Sequence, residues 1–133
     1  RVLFVGETDN VAQYYGVGDL LVLPTLYDPF SNVCLEALAS AIPVVTTQEN
    51  GAAEIIRPGQ TGSVISDPSN CEELAGAISP FLSLEKRASF QAEAAESVKR
   101  FTIEENTRRT MDVYQRVVLM KKEVASAESK AAR

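Results

Sequence analysis

The chain has 133 residues, enough for one domain with its own core. Its 45% hydrophobic and 23% charged content is ordinary for a soluble globular protein. A net charge of −5 lacks the basic footprint of a nucleic-acid binder and argues against a strongly membrane-bound surface. No apolar run approaches the ~20 residues of a membrane helix, and no signal peptide is visible. The absence of histidine removes Ser-His triads, Cys-His dyads and His-ligated metals. Cys34 and Cys71 make neither a disulfide framework nor a metal set and read as small hydrophobes.

In chain order, the β-branched run Arg1 to Val5 predicts a buried strand closing at Gly6. Because the chain enters on it directly, without Met, the sequence reads as a piece of a longer protein. Asp9 or Asn10 is the expected N-cap of a short helix, Val11 to Tyr15, ended by Gly16. Leu20 to Leu23 predicts the next strand, ending at Pro24. After a polar crossing, Tyr27 to Ser31, a helix is expected from Asn32 to Ala41, with Ser31 or Asn32 as its cap. Val44 to Thr46 predicts a strand, followed by a polar loop with an Asn50-Gly51 turn signal. A short helix over Ala52 to Ile56, a strand over Ser63 to Ile65 and a helix over Cys71 to Leu82 follow. Strand and helix alternate, which predicts an α/β protein with a parallel sheet. Beyond Ser83 the pattern is wholly helical. One helix is expected over Glu85 to Lys99, and another from the capping box Thr102-Ile103-Glu104-Glu105 to about Val124. Its apolar stripe includes Ile103, Met111, Tyr114, Val117 and Val118. Residues 125–133 read as a disordered tail, and the whole chain reads as one domain without a linker.

The most informative stretch is Tyr27 to Glu54, a strand–loop–helix–strand unit. In parallel sheets ligands bind beyond the carboxyl ends of the strands, where loops enter helix N-termini. Asp28 lies in that loop. Glu36 lies about one turn into the helix, whose residues are otherwise nearly all apolar. Only Asn32, Glu36 and Ser40, four apart, make a polar stripe. An ionised carboxylate there needs a partner, either a ligand hydroxyl or a protein donor. A helix with one solvated edge is the plain alternative. Free first-turn amides favour an anion such as a diphosphate, with ordinary capping as the plain alternative.

These residues resemble the nucleotide-sugar site of the group 1 retaining glycosyltransferases, whose fold is called GT-B. That family's hallmark is E-x-F-G-x-x-x-x-E-A-x-A-x-G-x-P-V-V. Here the chain reads D-P-F-S-N-V-C-L-E-A-L-A-S-A-I-P-V-V. Asp28, Phe30, Glu36, Ala37, Ala39, Pro43, Val44 and Val45 fall on the pattern. Gly51 and Glu54 match a following G-x-x-E, and Gly59, Thr61 and Gly62 match a G-x-x-G. Tyr14, Tyr15, Asp19 and Pro24 match a preceding run in which the tyrosines pack a helix on the sheet. The likeness covers about Arg1 to Leu82 and continues more loosely to the C-terminus.

The resemblance implies a partial Rossmann-like parallel sheet, the C-terminal half of a GT-B C-terminal domain, followed by two or three C-terminal helices. It implies transfer of a hexose from a nucleotide diphosphate sugar to a saccharide or lipid-linked acceptor, as in cell-envelope polysaccharide synthesis. Asp28 would accept hydrogen bonds from donor-sugar hydroxyls, and Glu36 would hold the ribose hydroxyls. Phe30, Ser31 and Asn32 would offer backbone groups to sugar and diphosphate, with Val33 and Cys34 lining the pocket. No metal and no cofactor beyond the donor is implied. The implied setting is cytoplasmic, with peripheral association at the inner face of the membrane. The family's basic diphosphate-gripping pair and acceptor-binding N-terminal domain would lie upstream, so this part alone is expected to be inactive. The last helix would meet that missing domain or pair with a second copy. Three departures stand out. Asp28 replaces the usual Glu, Ser31 replaces Gly, and Ala41 replaces Gly, the last read as a packing change. A non-catalytic nucleotide-sugar-binding or regulatory module and a GT-B epimerase are the competing readings. A phosphorylase would need a pyridoxal-phosphate lysine, and none stands out near this loop. A receiver domain would need its acid at a strand end, whereas Asp28 lies beyond Pro24.

Overall fold

Three short parallel strands, in the order β1-β2-β3, form the sheet in the computed structural model, which describes residues 2–131. β1 is Leu21–Leu23, β2 is Val44–Thr47 and β3 is Gly62–Ile65. The central strand pairs Val22 with Val45 on one side and Val45 with Ser63 on the other. Every residue of β2 is buried, so its two threonines must satisfy their hydroxyls internally. Thr46 Oγ1 donates to the Leu23 carbonyl at 2.9 Å and Thr47 Oγ1 to the Thr25 carbonyl at 2.6 Å. Both bonds tie the end of β1 to the end of β2.

Parallel strands need crossover connections. The first is α2, Asn32–Ala39, which buries Cys34, Ala37 and Leu38. The second contains only a 3-10 turn, Gly51–Ile55. Beyond β3, Asn70 caps α3 (Cys71–Ile78), its side chain accepting from the Glu72 and Glu73 amides. The helix expected to reach Leu82 tightens after Ile78 into a 3-10 turn, Ser79–Leu82. Pro80 supplies the reason, because it has no N–H to continue the α-helical ladder. α4 is Leu84–Val98. Phe81 and Phe90 meet with centroids 4.7 Å apart and planes tilted by 53°. With Val45 and Ile65 they form a core cluster flanked by Val22, Leu74 and Ile78.

Four expectations are corrected. Residues 2–5 form no strand, and all four are exposed. Their β-branched run favours a sheet, but no described strand offers them backbone partners. Cys71 is exposed at the start of α3, so only Cys34 is a buried cysteine. Neither Asp9 nor Asn10 caps α1 (Ala12–Tyr15); Val11 stands at its N-cap without a side-chain bond. Ala41 is more than a packing change, since its φ of 62° is left-handed. The Ala41 amide bonds the Leu38 carbonyl and the Ile42 amide the Ala37 carbonyl. That is the Schellman ending of a helix, whose left-handed position normally takes glycine.

The chain divides after Lys99 into two compact units. The second unit contains α5, Ile103–Ala131. Thr102 Oγ1 accepts from the Glu105 amide, half of the expected capping box. Glu105 accepts from both Arg108 and Arg109, and these bonds, Arg108 first, pull its carboxyl down to about 2. The helix continues past Val124, through a run of Ala, Ser, Glu and Lys, to Ala131. Residues 132–133 lie outside the described residues. No described helix is long and apolar enough to cross a membrane.

Candidate functional site

The loop leaving β1 is laced to the loop leaving β2. The Asp28 amide donates to the Glu49 carbonyl at 3.1 Å, and the Asp28 carbonyl accepts from the Gly51 amide at 2.9 Å. These bonds make an isolated parallel bridge between Asp28 and Asn50, beyond the ends of the strands. The approach is close enough that a Cβ on Gly51 would lie 1.9 Å from the Pro29 carbonyl oxygen. Only glycine fits there. Gly51 of the G-x-x-E therefore acts through its missing side chain, whereas Glu54 is simply exposed.

Asn50 is the brace of this crossing. It is 1% exposed, and all four hydrogen-bonding positions of its amide are used. Oδ1 accepts from the Ser31 amide at 3.2 Å and from the Ala52 amide at 3.0 Å. Nδ2 donates to Thr46 Oγ1 at 2.9 Å and to Cys34 Sγ at 3.6 Å. Its sequence signal, Asn before Gly, indicated only a turn.

This wiring sorts the expected binding residues. Asp28 is half-buried, and its Oδ1 accepts from the Phe30 amide at 3.0 Å. Ser31 occupies the N-cap of α2, but its hydroxyl makes no cap bond. It is buried and turned to the Cys34 thiol. The Phe30 and Ser31 amides are thus engaged within the chain. The Asn32 and Val33 amides have no partner among the described residues, as the start of a helix dictates. Phe30 and Val33 are each 39% exposed. Cys34 is 0% exposed, so it supports the loop from beneath and has no surface open to a ligand. Burial, more than any other influence, pushes its thiol up; bonds from Ser31, Asn50 and Thr46 act against this, and the Asp28 charge adds to it.

Glu36 is exposed, and its Oε2 accepts from the Tyr15 hydroxyl at 3.0 Å. Tyr15 is therefore not only a packing residue. Burial, then the bond to Glu36, then the Glu36 charge push the phenol up to about 12. Tyr15 and Glu36 open on a cleft of about 460 Å³ lined also by Asp9, Asn10, Val11, Ala12, Ala39 and Ser40. Asp28 does not line it. The two acids lie on successive parts of one loop–helix unit, Asp28 before the free amides of α2 and Glu36 after them. Among the described residues no three Cys, Asp or Glu side chains gather as a metal set. Arg57 is exposed and reaches Glu93 at 3.9 Å.

A parallel sheet with an acid in the crossing loop and another on the following helix is an α/β arrangement of the GT-B kind. Residues 1–83 match the family model described as Glycosyl transferases group 1, and the chain belongs to that family. It is 32% identical over 119 residues to the lipopolysaccharide core biosynthesis mannosyltransferase LpsB of Rhizobium meliloti, covering 86% of this chain and 34% of that protein. It is 42% identical over 62 residues to the N-acetyl-alpha-D-glucosaminyl L-malate synthase of Bacillus anthracis, covering 47% of this chain and 16% of that one. The sucrose-phosphate synthase of Thermosynechococcus elongatus superposes with a TM-score of 0.77 at 29% identity, over 90% of this chain and 31% of that one. WaaG, a glycosyltransferase of lipopolysaccharide biosynthesis, superposes with a TM-score of 0.67 at 23% identity, over 80% of this chain and 29% of that one, and shares the fold. The chain thus spans about a third or less of the relatives it matches.

Proposed function

We propose that this chain supplies the donor side of a retaining glycosyltransferase that moves a hexose from a nucleotide diphosphate sugar to a saccharide or lipid-linked acceptor. The observation that carries the reading is the order along one unit: the Asp28 carboxylate, the free Asn32 and Val33 amides, then the Glu36 carboxylate facing a cleft. Asp28 accepts from hydroxyls of the donor sugar through the oxygen not bound to Phe30. The Asn32 and Val33 amides, at the positive end of α2, receive diphosphate oxygens. Glu36 accepts from the ribose hydroxyls, a task suited to a group that accepts and does not donate. Charge on the departing diphosphate is stabilised in place as the glycosidic bond to it breaks. The exposed faces of Phe30 and Val33 form the apolar margin.

Beyond donor and acceptor the reaction requires no metal and no separate cofactor. Acceptor binding and the basic grip on the diphosphate belong to parts of the protein upstream of this chain, so the chain by itself turns over no donor. The setting is the cytoplasm, peripheral to the membrane where the acceptor is lipid-linked. Titration of the intact protein with UDP-, GDP- and ADP-sugars, with transfer assayed alongside, tests the reading. One nucleotide series should bind and donate, and Asp28→Ala and Glu36→Ala should each weaken it. Binding without transfer to any saccharide or lipid-linked acceptor would favour a non-catalytic module. An altered sugar without transfer would favour an epimerase.

A further inference from the structure

We infer that Tyr15 is a positioning residue for the nucleotide ribose, acting by holding the Glu36 carboxylate in one orientation. The inference rests on the donor-site reading above. Glu36 is exposed on α2 and has no ion-pair partner among the described residues. An exposed glutamate samples many rotamers, and fixing such a side chain on binding costs about 0.5–1.5 kcal/mol. Two neighbouring hydroxyls demand a fixed carboxylate plane, so this cost falls on the ligand unless the protein has met it already. The Tyr15 hydroxyl, 21 positions away in sequence, donates to Oε2 at 3.0 Å. Tyr15 is half-buried and has only two side-chain torsions to fix, so it is a cheap and rigid anchor. One phenol donor occupies one lone pair of a group with about four. Oε1 remains free to accept, and both residues line the same cleft. Tyr14, the preceding residue, is 41% exposed and makes no bond to Glu36, so the task falls to one member of the tyrosine pair. The phenol, pushed up to about 12, stays protonated and able to donate at neutral pH.

A purely architectural tyrosine would join α1 to α2 and affect all ligands alike. The test is therefore a comparison of ligands with and without ribose hydroxyls. UDP, GDP and ADP are titrated into the intact protein and its Tyr15→Phe variant, each beside its 2′,3′-dideoxy counterpart. Thermal unfolding of both proteins accompanies the titrations. Tyr15→Phe should raise Kd for the bound nucleoside diphosphate about threefold to tenfold, while Kd for the dideoxy compound moves less than about twofold. Equal weakening of both ligands, or of neither, overturns the inference while leaving Glu36 as the ribose contact. If the unsubstituted protein already binds the dideoxy compound as tightly as the parent, the ribose role of Glu36 itself is lost. The inference then falls with it, through a result distinct from its own failure.

Discussion

The backbone amide of Ser31 donates to the side chain of Asn50 at 3.2 Å across 19 positions of sequence. By this bond the loop after β2 fixes the entry to α2, and with it the two amides that follow. The same oxygen serves Ala52, and the same amide nitrogen serves Thr46 and Cys34. Replacing Asn50 by Ala leaves two buried amides without acceptors, each at about 1–3 kcal/mol. The expected loss is about 2–5 kcal/mol in urea unfolding, with faster hydrogen exchange at Ser31 and Ala52. Unchanged exchange at those two amides would mean that the brace is redundant.

How much of this was readable beforehand follows from what each residue's partners require. The apolar runs at β1 and β2, and α2 between them, carry their own period and were legible. The placement of Asp28 in the crossing loop and of Glu36 on α2 was legible from the motif. Asn50 and Tyr15 were not, because their partners lie up to 21 positions away and meet only once the crossover is built. Asn50-Gly51 therefore read only as a turn in a polar loop, and Asn50 is buried. The reverse error occurred at Val2 to Val5, where local preference was correct for a strand but the neighbouring strand it needs is not among the described residues. Cys34 had two readings, a small hydrophobe from its composition and a pocket lining from the resemblance; helix phase turns its thiol inward under Asn50, as the first requires.

Ala41 predicts a stabilising substitution. A side chain in left-handed backbone costs about 1–2 kcal/mol, whereas glycine costs about 0.4–1 kcal/mol through the freer unfolded chain. The strain is the larger effect. Ala41→Gly should therefore stabilise the chain by roughly 0.5–1 kcal/mol, seen as a higher urea midpoint at unchanged m-value. A lower midpoint would mean that the Cβ at this position contributes packing that outweighs the strain.

The two free cysteines should differ sharply toward a thiol reagent. Cys71 is exposed, whereas Cys34 is 0% exposed and its thiol is pushed up chiefly by burial. One equivalent should react at once in the native protein. The second should wait for opening of the fold, roughly a thousandfold slower or more. Mass mapping should place the fast label on Cys71, and Asn50→Ala should accelerate the slow one. Rapid labelling of Cys34 would contradict the buried cluster beneath the loop.

Tyr15 gives the fold a dependence on alkaline pH whose sign is fixed by its environment. Burial first, then the bond to Glu36, then the Glu36 charge, raise the phenol from 10.0 to about 12. Between those values the folded chain keeps a proton that the unfolded chain has lost. Stability contributed by the neutral phenol is thus fully present below pH 10 and declines as pH rises toward 12. A difference titration by ultraviolet absorbance, the unsubstituted protein minus Tyr15→Phe, should show one phenol ionising near 12. Glu36→Gln should lower that midpoint but not restore the ordinary value, because burial is the largest cause. Full restoration would make the carboxylate, rather than burial, the dominant influence on Tyr15.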